Sequence, residues 1–184
     1  RDLIAPLTAA AAPLGELTIV HRDVLQVDFT ELAGGSPIRL VGNLPYNISS
    51  PILFHALDHA AAIRDMHFML QKEVVERMVA EPGSKAYGRL SVMLQWRYDM
   101  SLLFIVPPTA FDPPPKVESA IVRMIPVAER LACDQETLEA VVMKAFSQRR
   151  KVIRNCLAGM FTEEQIKAAG IDPTKRPETV GLEQ

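Results

Sequence analysis

The stretch that most limits what this chain can fold into is Ile38-Arg39-Leu40-Val41, which runs directly into Gly42-Asn43-Leu44-Pro45-Tyr46-Asn47-Ile48-Ser49-Ser50. A short apolar run that stops at Gly-Asn-x-Pro-Tyr reads as a buried strand emptying into a stiff loop, because Pro45 fixes its own φ. Open α/β sheets place their chemistry in the crevice beyond the carboxyl ends of such strands. The residue types suit a nucleobase. The Asn43 side-chain oxygen and the Leu44 carbonyl can each accept a hydrogen bond from an exocyclic amino group, and the Tyr46 ring can stack on the base. The same residues also fit a plain turn with Tyr46 packed on the core.

With 184 residues, 48% of them hydrophobic, the chain can form one good domain, or one domain with a small appendage. No apolar run is long enough to span a bilayer, and no secretory signal pattern opens the sequence. Cys133 and Cys156 lack metal-ligand spacing and read as small buried residues of a reduced, cytoplasmic protein. A formal net charge of −2 excludes a polycation, so any nucleic-acid surface is a local patch.

Residues 2–14 are Ala/Leu-rich and helical in character, and Leu17 to His21 is a short strand-like run. Ser50 is expected to cap a helix with Pro51 in its first turn, reaching about Ile63 with Leu53, Phe54, Leu57 and Ala61 on one face. Met66 to Leu70 reads as a buried strand, Glu73 to Val79 and Leu90 to Trp96 as helices, and Leu102–Val106 and Ser119–Ile125 as strands. This alternation predicts a doubly wound α/β sheet with crossovers up to about Val127. Beyond Glu129 the pattern turns wholly helical, with Glu178 to Glu183 as the start of a further helix. The division expected is residues 1–128 and 129–184. Arg1 is not an initiator Met, and both ends read as cuts within a longer protein.

A second motif is Phe111-Asp112-Pro113-Pro114-Pro115-Lys116-Val117-Glu118-Ser119. Consecutive prolines enforce an extended, rigid loop that cannot join a sheet ladder. Such a loop either covers a sheet edge, with Phe111 in the core, or holds Phe111 against a ligand.

Taken together, Asn43-Leu44-Pro45-Tyr46-Asn47-Ile48-Ser49 and Phe111-x-Pro-x-Pro-x-Val-x-Ser119 resemble the ribosomal RNA adenine dimethyltransferases. The runs Gln71 to Val75, Ser84 to Val92 and Gln148 to Lys151 resemble the bacterial small-subunit branch, and the similarity covers essentially the whole chain. The resemblance implies a Rossmann-like class I methyltransferase domain and S-adenosylmethionine as methyl donor. It also implies, as acceptors, two adjacent adenosines near the 3′ end of 16S rRNA, each methylated twice. Asn43, Leu44, Pro45, Tyr46 and Phe111 take the catalytic positions, while Asp23 and Asn43 take those that bind cofactor. For Asp23, a turn or cap role competes with holding the adenine amino group. Gln26 to Phe29 could line the same pocket.

The residue chemistry agrees with that resemblance. An adenine amino nitrogen is a poor nucleophile because its lone pair is delocalised into the ring. Two acceptors holding both N–H groups would favour a pyramidal nitrogen, with the lone pair aimed for in-line transfer and no strong base needed beforehand. Tyr46 and Phe111 would sandwich the extruded base and offset its unstacking. After one transfer a single N–H remains, so the pocket must let the amino group turn.

Members of this family also carry a Gly-rich loop after a first strand and an acidic residue closing a second. No Gly-x-Gly occurs here, and Arg1-Asp2-Leu3 aligns just past that acidic position. The expectation is a chain without its first two strands, inactive in isolation. Lys144, Arg149, Arg150, Lys151 and Arg154 form a basic segment with no acid among them. On one continuous helix Lys144, Arg150, Lys151 and Arg154 share a face, and Arg149 falls in the apolar arc unless the helix breaks near Ser147-Gln148. Phosphate contact with rRNA and a merely solvated face are the two readings. His55 and His59 have i, i+4 spacing but no third ligand, so no metal is expected. Trp96 and Tyr98 read as core rather than as an interface. Two alternatives stand beside the enzyme: a non-catalytic RNA-binding or ribosome-assembly factor, and the related large-subunit rRNA adenine dimethyltransferase.

Overall fold

A computed structural model describes residues 2–127, 131–148 and 150–184. It opens with α1 (Ile4–Ala11), which buries no side chain. Residues 17–21, expected as a strand, form no ladder, and Leu17 and Val20 are exposed. Their alternation is strand-like, but a strand exists only where a neighbour supplies its hydrogen bonds. The chain then forms α2 (Phe29–Ala33), β1 (Ile38–Asn43), α3 (Ser49–Asp58), β2 (Ile63–Gln71), α4 (Lys72–Met78), α5 (Arg89–Gln95), β3 (Tyr98–Val106) and β4 (Ser119–Pro126). The helical part follows as α6 (Gln135–Ala145), α7 (Ile153–Cys156) and α8 (Glu163–Ala168).

The four described strands lie in the order β1-β2-β4-β3. β1 and β2 are parallel and joined through α3, whereas β4 runs antiparallel to both β2 and β3. The sheet is therefore mixed, with one crossover unit rather than a run of them. Its inner face is formed by Met66, Phe68 and Leu70 of β2 with Ala120, Val122 and Met124 of β4, all essentially inaccessible to solvent. Helix α3 covers this face with Ile52, Leu53, Ala56 and Leu57. Each fully buried large side chain contributes about 1.5–3 kcal/mol. The expected stripe on α3 shifts accordingly: Ala61 lies beyond the helix and is exposed. The opposite face of β1 and β2 carries Arg39, Val41, Asp65 and His67, with Val41 72% exposed. There the Arg39 guanidinium forks onto Asp65 at 2.6 and 2.9 Å and holds that carboxyl below its ordinary range.

Local signals explain several boundaries. Asp28 caps α2 by accepting from Thr30 and Glu31 N–H, and Gly34 ends it at φ 55°. Asp134 caps α6, and Thr162 with Gln165 forms a capping box on α8. Helix α3 begins one residue before Ser50, at Ser49, whose hydroxyl donates to the Tyr46 carbonyl at 3.1 Å. The expected helix at Glu178 to Glu183 is only a 3-10 turn, Pro177–Thr179. The expected division at residue 128 falls outside the described residues. A second apolar cluster of Ala145, Ile153, Leu157 and Ile166 gives the helical part its own small core. Trp96 and Tyr98 are buried, as is Cys156; Cys133, expected buried, is exposed.

Candidate active site

Because β1 and β2 are parallel, their carboxyl ends emerge together, and β4 starts at the same edge. Asn43 is the last residue of β1, in register with Met69, while Gln71 at the end of β2 pairs with Ser119 at the start of β4. The loop 44–48 leaves β1 along this edge, with Leu44 N–H donating to the Met69 carbonyl at 3.2 Å and Ile48 N–H to the Pro45 carbonyl. Gly42 sits close to its neighbours: a Cβ there would lie 3.1 Å from Leu44 Cδ2 and 3.7 Å from Phe68.

Asn43 is exposed, and its side-chain amide makes no hydrogen bond among the described residues; nor does any described donor reach the Leu44 carbonyl. Both acceptors are therefore available to a ligand. Tyr46 is 39% exposed, and its hydroxyl shares a hydrogen bond with Ser119 Oγ at 3.0 Å. The segment is a turn, as the plain reading has it, but Tyr46 does not fill the core. Phe111 is half-buried at the start of the Pro-rich loop, its N–H donating to the Pro108 carbonyl. The far end of that loop is clamped to α4. Lys72 N–H donates to the Glu118 carbonyl at 3.0 Å, and Lys72 Nζ to the Glu118 carboxylate at 2.7 Å. The loop follows β3 and precedes β4 without pairing.

Asp23 stands exposed before a 3-10 turn and accepts the Leu25 N–H on Oδ1 at 3.0 Å, the local role that competed with cofactor binding. Its second carboxylate oxygen has no described partner. A carboxylate oxygen without a described partner has the chemistry to accept from the amino-bearing edge of an adenosyl group, which suits Asp23 to that part of the methyl donor. Phe29, expected near this pocket, is instead core, packed edge-on against the rings of His55 and His59 at 5.0 and 5.5 Å. The histidines dock the segment 27–30 onto α3: His55 Nε2 meets the Val27 carbonyl at 2.8 Å and His59 Nδ1 the Thr30 hydroxyl at 2.9 Å.

The basic segment does not form one helix. α6 ends at Ala145, Ser147 Oγ donates to the Lys144 carbonyl, and Lys151 N–H closes a turn on the Gln148 carbonyl. The break comes at Ser147-Gln148, so the shared helical face expected for these cations is replaced by a turn. Arg149 lies outside the described residues. Lys144, Arg150 and Lys151 are exposed without ion pairs among the described residues, while Arg154 faces Glu163 at 3.5 Å. Among α3, α4, the segment leading into α5 and Phe146 just past α6 lies an open cleft of about 680 Å³, lined by Phe54, Arg77, Tyr87, Arg89 and Phe146. Arg89 spans it, lying over the Phe54 ring at 5.3 Å and bonding Glu139 of α6 at 2.5 Å. Sequence reasoning missed Ser119 and Arg89 as working residues. Ser119 was visible as a small polar residue opening a strand, and Arg89 as a cation within an otherwise apolar run.

A mixed sheet with an Asn-Leu-Pro-Tyr loop at its carboxyl edge is that of a Rossmann-like methyltransferase. The chain belongs to the ribosomal RNA adenine dimethylase family, whose model it matches over residues 1–183, and whose members are S-adenosylmethionine-dependent methyltransferases. It is 66% identical over 186 residues to the ribosomal RNA small subunit methyltransferase A of Janthinobacterium sp. (strain Marseille), spanning 100% of this chain and 72% of that relative. With the same-named protein of Xanthomonas campestris pv. campestris (strain B100) it shares 63% over 180 residues, 97% of this chain and 69% of the relative. Among solved structures it resembles a dimethyladenosine transferase from Plasmodium falciparum (TM-score 0.81, 21% identity, covering 98% of this chain and 74% of that one). It also resembles the 23S rRNA methyltransferase ErmE (TM-score 0.77, 25% identity, covering 99% and 74%).

Proposed function

We propose that the chain carries out dimethylation of the exocyclic amino groups of two adjacent adenosines near the 3′ end of 16S rRNA in the small ribosomal subunit, in the cytoplasm. The observation that carries this reading is the pair of free acceptors, Asn43 and the Leu44 carbonyl, beside an anchored and exposed Tyr46. They stand in a chain 66% identical to a small-subunit enzyme, against 25% for the large-subunit one.

In this reading Tyr46 and Phe111 receive the adenine between their rings, each stacked ring worth about 1–3 kcal/mol toward the cost of extrusion. The Asn43 side chain and the Leu44 carbonyl accept the two amino N–H groups, drawing the nitrogen out of conjugation and aiming its lone pair. Pro45 restricts the backbone at Leu44 and so directs its carbonyl, while the Asn43 amide turns to meet the second N–H. Asp23 and Asn43 hold the methyl donor, which supplies an electrophilic sulfonium methyl when bound. The nitrogen–methyl bond would form as the sulfur–methyl bond breaks, leaving a neutral thioether, and the charged nitrogen would then release its proton to water.

Residues 1–128 carry this chemistry, and 129–184 carry the RNA grip; the helical part has an apolar cluster of its own that joins the main core through Val142 and Phe146. Lys144, Arg149, Arg150, Lys151 and Arg154 serve as phosphate contacts, which position rather than specify. Reversing the charge of Arg150 and Lys151 lowers affinity for small subunits and reduces the salt slope by about 2, roughly 1 per cation. Unchanged affinity rejects the assignment. Among the described residues no helix is long and apolar enough to cross a membrane, and no group of His, Cys, Asp and Glu is placed to hold a metal.

The deciding experiment is transfer of labelled methyl groups to unmethylated small subunits. It compares this chain with a chimera completed to the full length of its 66%-identical relative. Dimethyladenosine in the rRNA supports the reading. Stoichiometric binding with no transfer by either protein replaces it with an assembly factor, and transfer only to large-subunit RNA replaces it with the related enzyme.

A further inference from the structure

We infer that Ser119 is a positioning residue for the transfer, setting the orientation of the Tyr46 ring that faces the target base. The inference rests on the reading of Asn43, Leu44 and Tyr46 given above. Ser119 is 1% exposed and contacts no ligand-facing surface of its own. Its backbone is fixed from both sides, in register with Gln71 of β2 and with Val106 of β3. The preceding residue is clamped as well, through the two bonds between Lys72 and Glu118. Few side-chain atoms at this edge are held so firmly, and the Ser119 hydroxyl lies 3.0 Å from the Tyr46 hydroxyl.

Tyr46 therefore has two attachments, one through its backbone and one through its ring. At its base the Tyr46 carbonyl accepts from Ser49 at the start of α3, and at its tip the hydroxyl meets Ser119 at the start of β4. A tyrosine side chain has two soft dihedrals. Fixing both ends removes most of that freedom before the base arrives, so the stacking surface is preset. The phenol oxygen is spent on this bond, which separates its role from that of the ring face: the face binds, the hydroxyl aims. Of the three tyrosines in the chain, Tyr87 and Tyr98 are each 1% exposed, so Tyr46 alone presents its ring to solvent.

The test is a mutant cycle in the completed enzyme, with unmethylated small subunits as substrate. Ser119→Ala is expected to lower kcat about 10-fold with KM changed less than about twofold, because a displaced ring misplaces the amino group without touching phosphate contacts. Tyr46→Phe should give the same loss, and the double variant should be no worse than either alone, since both remove one interaction. Ser119→Thr, which keeps the hydroxyl, should restore most of the rate. Additive losses, or a loss in Ser119→Ala confined to thermal stability, overturn the inference. An inactive wild-type enzyme overturns the functional reading instead. In that case the orientation claim stands or falls on NMR of the chain labelled with ¹³C-tyrosine. Ser119→Ala should move the Tyr46 ring signals toward random-coil values and leave those of Tyr87 and Tyr98 in place; unmoved Tyr46 signals reject it.

Discussion

The two aromatic side chains assigned to the target base are held in different ways. Tyr46 is tied at both ends to regular structure, by Ser49 of α3 and Ser119 of β4. Phe111 is held by its backbone alone, a single N–H to Pro108, within a loop stiffened by prolines and clamped near its far end by Lys72. One wall is fixed by side-chain bonds to the sheet; the other is fixed only as well as its loop. Stiffness from proline restricts the path of the chain, whereas a hydrogen bond to a ladder residue restricts the ring itself.

Asn43→Ala should produce the largest effect, a fall in kcat of about 100-fold or more, because it removes an acceptor that neither wall can replace. Methyl transfer to small subunits measures it, and a loss under about tenfold would mean that the walls, not the acceptors, carry the rate. Next, Tyr46→Ala should cost more than Phe111→Ala, roughly 100-fold against roughly tenfold in kcat/KM, within the usual range for a lost stacking partner. Equal losses would erase the distinction between the anchored and unanchored sides. Gly42→Ala should lower kcat no more than a few-fold, since Leu44 Cδ2 must give way by a few tenths of an ångström beside the loop. A product profile shifted toward monomethyladenosine would sharpen the point, locating the strain at the acceptor.

The smallest effect concerns the footing of the anchored side. The Tyr98 hydroxyl donates to the Ala56 carbonyl of α3 at 2.8 Å, and burial pushes its pKa well above the ordinary value of 10.0. The folded state therefore keeps the phenol protonated while the unfolded chain releases its proton. This stabilisation is fully present below pH 10 and is lost as pH rises toward the folded value. Tyr98→Phe should cost about 1 kcal/mol at neutral pH, and its denaturation midpoint should fall less steeply above pH 10 than that of the parent.

Much of the framework was legible because its signals are local. β1 and the loop after it follow from an apolar run meeting Gly-Asn-x-Pro-Tyr, and β2, β4, α4 and α5 follow from period and breakers. Residues 17–21 show where this fails. Alternation marks a segment that could pair, and only a neighbour decides whether it does. Phe29 turning inward against two histidines likewise depends on contacts distant in sequence. The cations of 144–154 were read on a single helix, but Ser147 folds its hydroxyl back onto the Lys144 carbonyl and a turn results. Ser119 lay in a quoted motif, yet its partner is 73 residues away and no local pattern links the two.

The central place of β4 carries a consequence for the double reaction. An amide bonded into the middle of a sheet opens only with the sheet, so the wall resting on Ser119 has almost no play between the first methyl and the second. A nitrogen that has gained one methyl is larger and must rotate to present its remaining hydrogen. Whatever room that rotation takes has to come from the other jaw, where Phe111 rides on a loop that joins no ladder. With Tyr46 and Phe111 receiving the base as proposed, the capacity to act twice on one atom would be a mechanical property of the Pro-rich loop, and the aim a property of the sheet.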